Sequence, residues 1–378
     1  MNDYGTLKPI ADPIPADRQA AKRHYGVHPY FTRRPFNVVR TYVLHYSREG
    51  DRVLDPFGGS GVTAIEAFLE NRIGIQNDIN PLANFIAKGI ADLSKGNHTD
   101  YVAAFESIRD RSQRGLRDIE GKSDEDVRQT GGFRGRFEIH AEDIDDLPGR
   151  IEPVDYIFTD PPYGGHISYL DLSTLWNVWN GKPPTKKARE RELIVGGDLD
   201  LSEDVYVKRL EESIRTCFAL LKPGRWLSVV FQHWSVPYFD AILTGAASVG
   251  GDLRAAISQI GDPIWSMHKK KGNQSVLAGE MILTFLKTDK PKTLEIARPF
   301  DVAAAVSRIL DESANGTIYG EYLFNRIVIN AWQSGALGSL DISRTAFADL
   351  MEQHGWTYEE TAHRWRRHAA QQTLLGAL

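Results

Sequence analysis

The sequence predicts an α/β protein, with a doubly wound, mostly parallel sheet followed by a C-terminal helical region. Residues 52–69 read as strand, glycine-rich loop and helix, which is how a nucleotide-binding βαβ unit begins. Residues 154–163 read as a buried strand that stops at an acid, two prolines and an aromatic residue. Elsewhere strand-like runs alternate with amphipathic helical patterns, which is typical of parallel sheets.

The chain begins with a polar, proline-bearing stretch, residues 1–23, that we expect to form a flexible arm. A segment rich in aromatic and arginine residues follows at 28–36 and leads into a helix predicted from Asn37 to Tyr46. The polar N-terminus does not fit a secretory signal, and no apolar run is long enough to cross a membrane. We therefore expect a cytoplasmic protein with no membrane partner.

The first βαβ unit runs from a strand that ends at Asp55, through the glycine loop, to a second strand that ends at Asp78. Gly59 and Gly61, followed by Ala64, fit a loose dinucleotide fingerprint. A carboxylate at Asp55 would repel a pyrophosphate, whereas it suits the ammonium and sulfonium groups of S-adenosylmethionine. Asp78 is placed to accept hydrogen bonds from ribose hydroxyls.

The central motif of the sequence is Asp160-Pro161-Pro162-Tyr163, directly after the strand predicted at 154–158. Because prolines lack an N–H and restrict the backbone, the carbonyls of Asp160 and Pro161 are held rigidly and can accept hydrogen bonds. The Asp160 carboxylate and such a carbonyl together can accept both hydrogens of an amino group. Tyr163 offers a flat face for stacking. The motif predicts a pocket for an amino-bearing base.

The remaining elements complete the sheet and the tail. Between the two motifs we predict a helix over 98–118, a loop over 121–136, and a strand with its exit over 137–144. After the second motif we predict a helix over 170–179, a mobile basic loop over 182–197, helices over 203–221 and 236–249, and strands over 225–231, 253–260 and 280–286. A charged linker at 287–299 precedes helices over 301–310, 320–331, 345–353 and 358–367. The predicted domains are the arm 1–23, a ligand-binding domain 24–290 and a helical domain 291–378.

In combination, three motifs resemble the amino-methylating, S-adenosylmethionine-dependent DNA methyltransferases that act on N6 of adenine or N4 of cytosine. The motifs are D-P-F-x-G-S-G at 55–61, D-I-N-P at 78–81 and D-P-P-Y at 160–163, and the resemblance covers residues 24–287 as a pattern. It implies a Rossmann-like class I methyltransferase sheet, S-adenosylmethionine as cofactor, and duplex DNA as substrate with the target base flipped out. A restriction nuclease or other defence protein is an expected partner.

The resemblance also assigns residues to the site. The cofactor-binding residues it implies are Phe31, Thr32, Asp55, Pro56, Phe57, Gly58, Gly59, Gly61, Asp78, Ile79, Asp143 and Asp160. The catalytic residues it implies are Asp160, Pro161, Pro162 and Tyr163. By the same resemblance, Phe31, Thr32 and Arg33 line the methionine end of the cofactor, and Asp143 accepts from its adenine amino group. His166 and Tyr169 are candidates for contact with an extruded nucleotide.

Composition narrows the function further. The net charge is −5, so a nucleic acid would have to meet local basic patches, for which the candidates are 186–191, 269–271 and 364–368. The single cysteine, Cys217, excludes an intramolecular disulfide and a cysteine-based zinc knuckle, and no metal site is predicted. Cys217 lies on the apolar side of a predicted helix, where we expect it to pack in the core. This disfavours cytosine carbon-5 methylation, which needs a cysteine nucleophile.

The leading prediction is a DNA methyltransferase acting on N6 of adenine. N4-cytosine methylation is the nearest alternative because the same pocket accepts either amino group, although within the family D-P-P-Y favours adenine and S-P-P-Y favours cytosine. An RNA methyltransferase acting on the guanine amino group is a further alternative, since some of these enzymes also resemble the T-D-P-P-Y-G run at 159–164. A non-catalytic nucleic-acid-binding subunit is the alternative from a different class.

Overall fold

The computed structural model describes residues 4–17, 25, 30–95, 135–165, 167–260, 279–292, 300–311, 317–318, 320–340, 342, 344–359 and 364–367. The strands of its central sheet are β1 (Arg52–Asp55), β2 (Ile73–Asn77), β3 (Arg136–His140), β4 (Val154–Thr159), β5 (Leu221–Phe231), β6 (Gly251–Ile260) and β7 (Gly279–Lys287). Their order across the sheet is β3-β2-β1-β4-β5-β7-β6. The predicted helix at 98–118, the predicted basic patch at 269–271, most of the predicted loop at 121–136, and His166 lie outside the described residues.

The sheet is mostly parallel. Strand β1 pairs in parallel with β2 on one side and with β4 on the other, and β4 pairs in parallel with β5. Strands β6 and β7, in the described part of the chain, pair antiparallel. The chain therefore leaves β1 in one direction and resumes on its other side at β4. This reversal confirms the predicted doubly wound fold, and the carboxyl ends of β1 and β4 are where open α/β sheets bind ligands.

Helices connect and follow these strands. They are α1 (Phe36–Tyr46), α2 (Val62–Leu69), α3 (Pro81–Lys95), α4 (Tyr169–Leu172), α5 (Thr174–Trp179), α6 (Lys186–Arg191), α7 (Glu203–Leu220), α8 (Val236–Ser248), α9 (Val302–Asp311), α10 (Gly320–Gln333) and α11 (Arg344–Gln353). No helix in the described residues is long and apolar enough to cross a membrane.

Local sequence explains where several elements begin. The Ser202 side chain accepts a hydrogen bond from the Val205 N–H at the start of α7, and Glu203 follows in the first turn, where the helix dipole favours an acid. Every residue of β4 is buried, which fits its position between two parallel neighbours. Cys217 is fully buried in α7, as expected for core packing, and burial raises its pKa.

Internal contacts divide the chain into two compact units. One unit comprises Met1–Lys8, Ala16–Tyr206 and Thr216–Val229, and the other comprises Pro9–Pro15, Val207–Arg215 and Val230–Leu378. The first unit contains β1 to β4 and all of the predicted site residues. The domain limits predicted from the sequence, at 23 and 290, stay predictions.

The C-terminal region is not wholly helical. Helices α9, α10 and α11 agree with the prediction, but the helix predicted over 358–367 is wrong. The structure instead has strands β9 (Trp356–Glu359) and β10 (Arg364–Arg367), which pair antiparallel, with β8 (Thr317–Ile318) on the other side of β10. Tyr358 and Trp365 lie opposite each other with ring centroids 5.3 Å apart. This cross-strand pair stabilises the strands.

The stretch predicted as a mobile basic loop, residues 182–197, contains a capped helix. The Thr185 hydroxyl accepts from the Ala188 N–H at the start of α6, and Leu193 and Ile194 are buried. The capping residue and these two apolar side chains explain why the segment is ordered.

Part of the predicted flexible arm is also ordered. Residues Tyr4–Thr6 form a 3-10 turn, and the Tyr4 hydroxyl donates to Asp51 over 2.6 Å. The Trp226 indole donates to the Tyr4 carbonyl over 2.8 Å, and the guanidinium of Arg225 lies 3.4 Å from the Tyr4 ring centroid. The expectation of a loose arm does not hold for Tyr4–Thr6, because Tyr4 contacts Asp51, Trp226 and Arg225.

Candidate active site

Asp55 connects the ends of β1 and β4 to the first turn of α2. Its Oδ1 accepts from the Thr159 hydroxyl over 2.8 Å and from the Phe57 N–H over 3.2 Å, and its Oδ2 accepts from the Thr63 hydroxyl over 2.9 Å. Burial raises the pKa of Asp55 to about 7, against the effect of these donors. Because Thr159 immediately precedes Asp160, Asp55 fixes the strand end that carries the D-P-P-Y motif. Its predicted contact with the cofactor stays a prediction.

The glycine loop, Pro56–Gly61, packs directly against the side chains of β2. The Gly58 N–H donates to the Asn77 carbonyl over 2.9 Å, and the Gln76 amide donates to the Gly59 carbonyl over 3.1 Å. A Cβ at Gly58 would lie 2.0 Å from the Gln76 Oε1, so a larger residue there would displace the Gln76 side chain. The loop therefore packs closely against the end of β2.

Asp78 follows β2 and accepts from backbone groups on two sides. Its Oδ2 accepts from the Gly59 N–H over 2.9 Å, and its Oδ1 accepts from the Asn80 N–H over 2.8 Å. Burial raises its pKa to about 6. Each carboxylate oxygen can accept a second hydrogen bond, which is what a ribose diol requires. The roles predicted for Asp78 and the adjacent Ile79 stay predictions.

The segment before α1 lies over the glycine loop. A Cβ at Gly59 would lie 3.2 Å from the Tyr30 ring, and the Phe31 ring meets the Tyr169 ring edge-on with centroids 5.7 Å apart. The Thr32 side chain hydrogen-bonds Tyr169, whose pKa burial raises to about 12. The structure thus places Tyr30, which the sequence reasoning did not assign, against the glycine loop, and places Phe31 and Thr32 against Tyr169. The predicted contacts of Phe31 and Thr32 with the cofactor stay predictions.

Arg33 extends this segment to the loop itself. Its Nε donates to the Ser60 hydroxyl over 2.8 Å, and its Nη1 donates to the Tyr25 carbonyl. Its Nη2 is buried and has no hydrogen-bond partner among the described residues. A buried guanidinium N–H without an acceptor is costly, so this atom points to an anionic or carbonyl ligand at the loop.

The D-P-P-Y motif forms a closed arrangement with a residue that sequence reasoning missed. The Tyr163 hydroxyl donates to the Asp160 Oδ1 over 2.5 Å, and the Arg34 Nε donates to the Asp160 Oδ2. The Arg34 Nη2 donates to the Tyr163 hydroxyl over 2.8 Å. The Tyr206 hydroxyl donates to the Pro162 carbonyl over 2.5 Å and so fixes the second proline. Neither Arg34 nor Tyr206 carries a local sequence signal, since each partner is distant in the chain.

Asp143 lies at the exit of β3, where the sequence placed it. Its Oδ1 accepts from the Asp145 N–H over 3.0 Å, and its Oδ2 lies 3.4 Å from the Arg191 Nη1. Arg191 also pairs with Asp146 at 3.1 Å. The basic residue at the end of the 186–191 patch thus pairs with acids of the first unit. The predicted contact of Asp143 with the adenine of the cofactor stays a prediction.

A family model gives the first comparison. Residues 13–88 match the model N6_N4_Mtase, whose description is DNA methylase. The matched stretch contains the segment before α1, the glycine loop and Asp78, and it ends before the D-P-P-Y motif. No curated protein sequence matches the chain significantly.

Solved structures give the second comparison. TrmN from Thermus thermophilus is 17% identical over 66% of this chain and 48% of its own, with a TM-score of 0.35. A TehB-like SAM-dependent methyltransferase from Corynebacterium glutamicum is 14% identical over 66% of this chain and 88% of its own, with a TM-score of 0.33. A putative rRNA methylase from Clostridium thermocellum is 12% identical over 68% of this chain and 98% of its own, with a TM-score of 0.34. The strand order, rather than these likenesses, establishes the fold.

The residues at the glycine loop suit the cofactor that the family match implies. S-adenosylmethionine presents an ammonium group, a carboxylate and ribose hydroxyls. The site offers the carboxylates of Asp55 and Asp78, together with the buried Nη2 of Arg33. The complementary charges and the close-packed glycine loop therefore fit this molecule. Residues 13–88 therefore resemble the N6/N4 DNA methylase family, and the fit at the loop agrees with a methyltransferase that uses S-adenosylmethionine as its methyl donor.

Proposed function

We propose that the protein is a site-specific DNA methyltransferase that transfers a methyl group from S-adenosylmethionine to the exocyclic N6 amino group of adenine. The observation that carries the proposal is the position of Asp160. It follows β4, the strand that pairs with the glycine-loop strand β1, and Asp55 connects the two strand ends through Thr159. A carboxylate beside the cofactor loop is the acceptor that an amino nucleophile needs.

The chemical difficulty is that the lone pair of an exocyclic amino group is delocalised into the ring. Asp160 and a neighbouring backbone carbonyl accept the two N–H groups, which favours a tetrahedral nitrogen with its lone pair directed at the methyl group. The cofactor supplies that methyl group on a sulfonium leaving group. As the new N–C bond forms, positive charge develops on the nitrogen, and the Asp160 carboxylate stabilises it. The methylated nitrogen then loses a proton to solvent, so no general base is needed before the attack.

The base has to leave the duplex to reach this position. Tyr163 presents an aromatic ring two residues beyond the first proline, and a flipped base can stack on such a ring. The hydroxyl of Tyr163 is held by Asp160 and Arg34, so the orientation of the ring is set before a base arrives. We therefore assign substrate recognition at the base to the D-P-P-Y motif.

The same pocket chemistry serves N4 of cytosine and, in RNA, the guanine amino group. The test is mass spectrometry of nucleosides from duplex DNA and from total RNA, each incubated with the protein and isotope-labelled S-adenosylmethionine. We expect label in N6-methyladenine from DNA, and none when Asp160→Ala replaces the wild-type protein. Label in N4-methylcytosine would show that cytosine is the target base, and label in RNA methylguanosine would show that RNA is the substrate. Bound cofactor without label in any nucleoside would contradict the enzymatic proposal and favour a nucleic-acid-binding subunit.

The partner predicted from the sequence follows from this function. A DNA methyltransferase that protects its sites would act beside a restriction nuclease or another defence protein. Co-purification of a nuclease with the tagged protein from its native host would support that partner. Methylation of host sites with no nuclease activity in the purified complex would contradict it.

A further inference from the structure

Arg34 connects the base-accepting aspartate to the aromatic ring of the same motif. Its Nε and Nη2 are the two arms of one planar fork, and they donate to the Asp160 Oδ2 and to the Tyr163 hydroxyl. The hydroxyl in turn donates to the Asp160 Oδ1 over 2.5 Å. The side chains of Arg34, Asp160 and Tyr163 thus form a closed cycle of three hydrogen bonds.

This cycle of hydrogen bonds is partly shielded from water, which strengthens the hydrogen bonds within it. The side chain of Arg34 is 15% exposed and that of Asp160 is 20% exposed. A hydrogen bond between a guanidinium and a carboxylate is among the strong polar contacts, and reduced solvent screening makes it stronger. The carboxylate plane of Asp160 is therefore fixed by Arg34 and not only by the two prolines that follow it.

The position of Arg34 in the chain adds a second constraint. The preceding residue, Arg33, donates to Ser60 of the glycine loop over 2.8 Å. The following residue, Pro35, has φ −58° and immediately precedes α1. Adjacent arginines on one short segment therefore hold the two halves of the site, the cofactor loop and the base pocket.

Resting on the proposed function, we infer that Arg34 is a positioning residue for methyl transfer. It fixes the Asp160 carboxylate and directs the Tyr163 hydroxyl hydrogen at Oδ1, so that acceptor and stacking face are in place when the base enters. Each Asp160 oxygen accepts one of these hydrogen bonds and keeps capacity for another, which the amino group of the base uses. A lysine cannot replace the fork, because its single ammonium cannot donate to both groups in this plane.

The first test compares Arg34→Ala and Arg34→Lys with a matched control, Arg40→Ala. Arg40, in α1, also pairs with an acid, Glu70, but its side chain is 42% exposed. We expect Arg34→Ala to lower kcat by about 100-fold, the size that follows from misplacing a reacting group by about 1 Å. The calorimetric affinity for S-adenosylmethionine should stay close to wild type. Arg34→Lys should recover only part of kcat, and Arg40→Ala should keep it.

A double-mutant cycle distinguishes positioning from folding. Tyr163→Phe keeps the ring and removes the hydroxyl that receives the Arg34 Nη2. Because both residues act on the same carboxylate, the combined variant should lose less kcat than the product of the two single losses. Guanidinium at a non-denaturing concentration should restore part of kcat in Arg34→Ala and none in Asp160→Ala. If Arg34→Ala does not fold, the cycle is carried out with Arg34→Lys.

Several results would overturn the inference. One is an unchanged or higher kcat in Arg34→Ala, and another is a loss of cofactor affinity equal to the loss of kcat. A third is a double variant whose loss of kcat equals the product of the two single losses. A wild-type protein that methylates no nucleic acid would overturn the proposed function itself. A fully active wild type with a fully active Arg34→Ala would overturn only the role of Arg34.

Discussion

Asp55, Asp78 and Asp160 lie at the ends of three neighbouring strands, and a different kind of donor holds each of them. Threonine hydroxyls hold Asp55, backbone N–H groups hold Asp78, and a guanidinium holds Asp160. Burial raises the pKa of Asp55 to about 7 and that of Asp78 to about 6, because their charged forms are poorly solvated. Asp160 alone among these three is ion-paired within the described residues, which suits an acceptor that has to stay charged.

Replacing Asp160 separates catalysis from cofactor binding. We expect Asp160→Ala to abolish detectable turnover, because the amino group loses its acceptor and the developing positive charge loses its counter-charge. The affinity for S-adenosylmethionine, measured by calorimetry, should stay near the wild-type value. Asp92→Ala, at an acid 48% exposed on α3, is the control and should leave turnover unchanged. A drop in cofactor affinity as large as the drop in rate would refute the assigned role.

At the scale of elements, the strand–loop–helix pattern was predictable because its signals are local. The apolar run of β4, the glycines before α2 and the serine that caps α7 each act over a few residues. The segment Trp356–Arg367 was not predictable in this way. Its acids and arginines have a spacing that also fits a helix. The segment forms strands because β10 pairs with β8 and β9, and a local sequence pattern does not show this pairing. Arg34 was missed for the same reason, since its partner Asp160 lies 126 residues away.

Packing of α2 on β2 can be tested at a glycine. A Cβ at Gly74 would lie 1.9 Å from the backbone carbonyl oxygen of Ala64, so Gly74→Ala has to push the helix off the strand. We expect the free energy of unfolding to fall by about 3 kcal/mol, as for other overpacked sites. In α3, a Cβ at Gly89 would meet nothing within 4 Å, so Gly89→Ala should raise the free energy of unfolding by about 0.5–1 kcal/mol. Equal values for the two variants in urea denaturation would contradict this account.

The connection from α6 to α4 depends on a buried acid. The Glu192 carboxylate accepts from the Leu170 N–H over 2.9 Å, and burial raises its pKa from an ordinary value of 4.5 to about 7. Because its pKa is raised in the folded protein, Glu192 contributes stability that is complete below pH 4.5 and is lost as the pH rises through about 7.

Glu192→Gln removes this titration and keeps an acceptor for the Leu170 N–H. Between pH 5 and pH 8, we expect the variant to lose less unfolding free energy than wild type, by up to about 3 kcal/mol at 1.36 kcal/mol for each pH unit of displacement. Glu190→Gln, at a carboxylate 52% exposed in α6, is the control and should keep the wild-type pH dependence. Identical curves for wild type and Glu192→Gln in chemical denaturation would contradict the assignment.

At the scale of the whole molecule, the reversal of strand order between β1 and β4 is what brings distant motifs together. The family match ends at residue 88, yet Asp160 lies at the same edge of the sheet as the glycine loop because β4 pairs with β1. The sequence motifs were sufficient to predict that the glycine loop and the D-P-P-Y motif meet at the carboxyl ends of neighbouring strands. They were not sufficient to predict which side chains hold the aspartates, since those partners come from other parts of the chain.

The charge of the whole molecule constrains how it meets a nucleic acid. With a net charge of −5, long-range attraction to phosphates is absent, so affinity has to come from local cations such as those of α6. Lys186 is 80% exposed and lies 3.6 Å from Glu190, one helical turn away. Lys208 in α7 is a matched control for Lys186, since it is 76% exposed and lies 3.9 Å from Glu212, also one helical turn away.

These two lysines allow a test of where the nucleic acid binds. We expect Lys186→Glu to weaken DNA binding at low salt and to reduce the slope of log K against log salt by about 1, the value of one lost phosphate contact. Lys208→Glu changes the net charge by the same amount and should leave the affinity unchanged, because its surroundings carry no assigned contact. Fluorescence anisotropy over a salt series measures both. Equal losses for the two variants would show that total charge governs binding, and the α6 patch would then have no specific role.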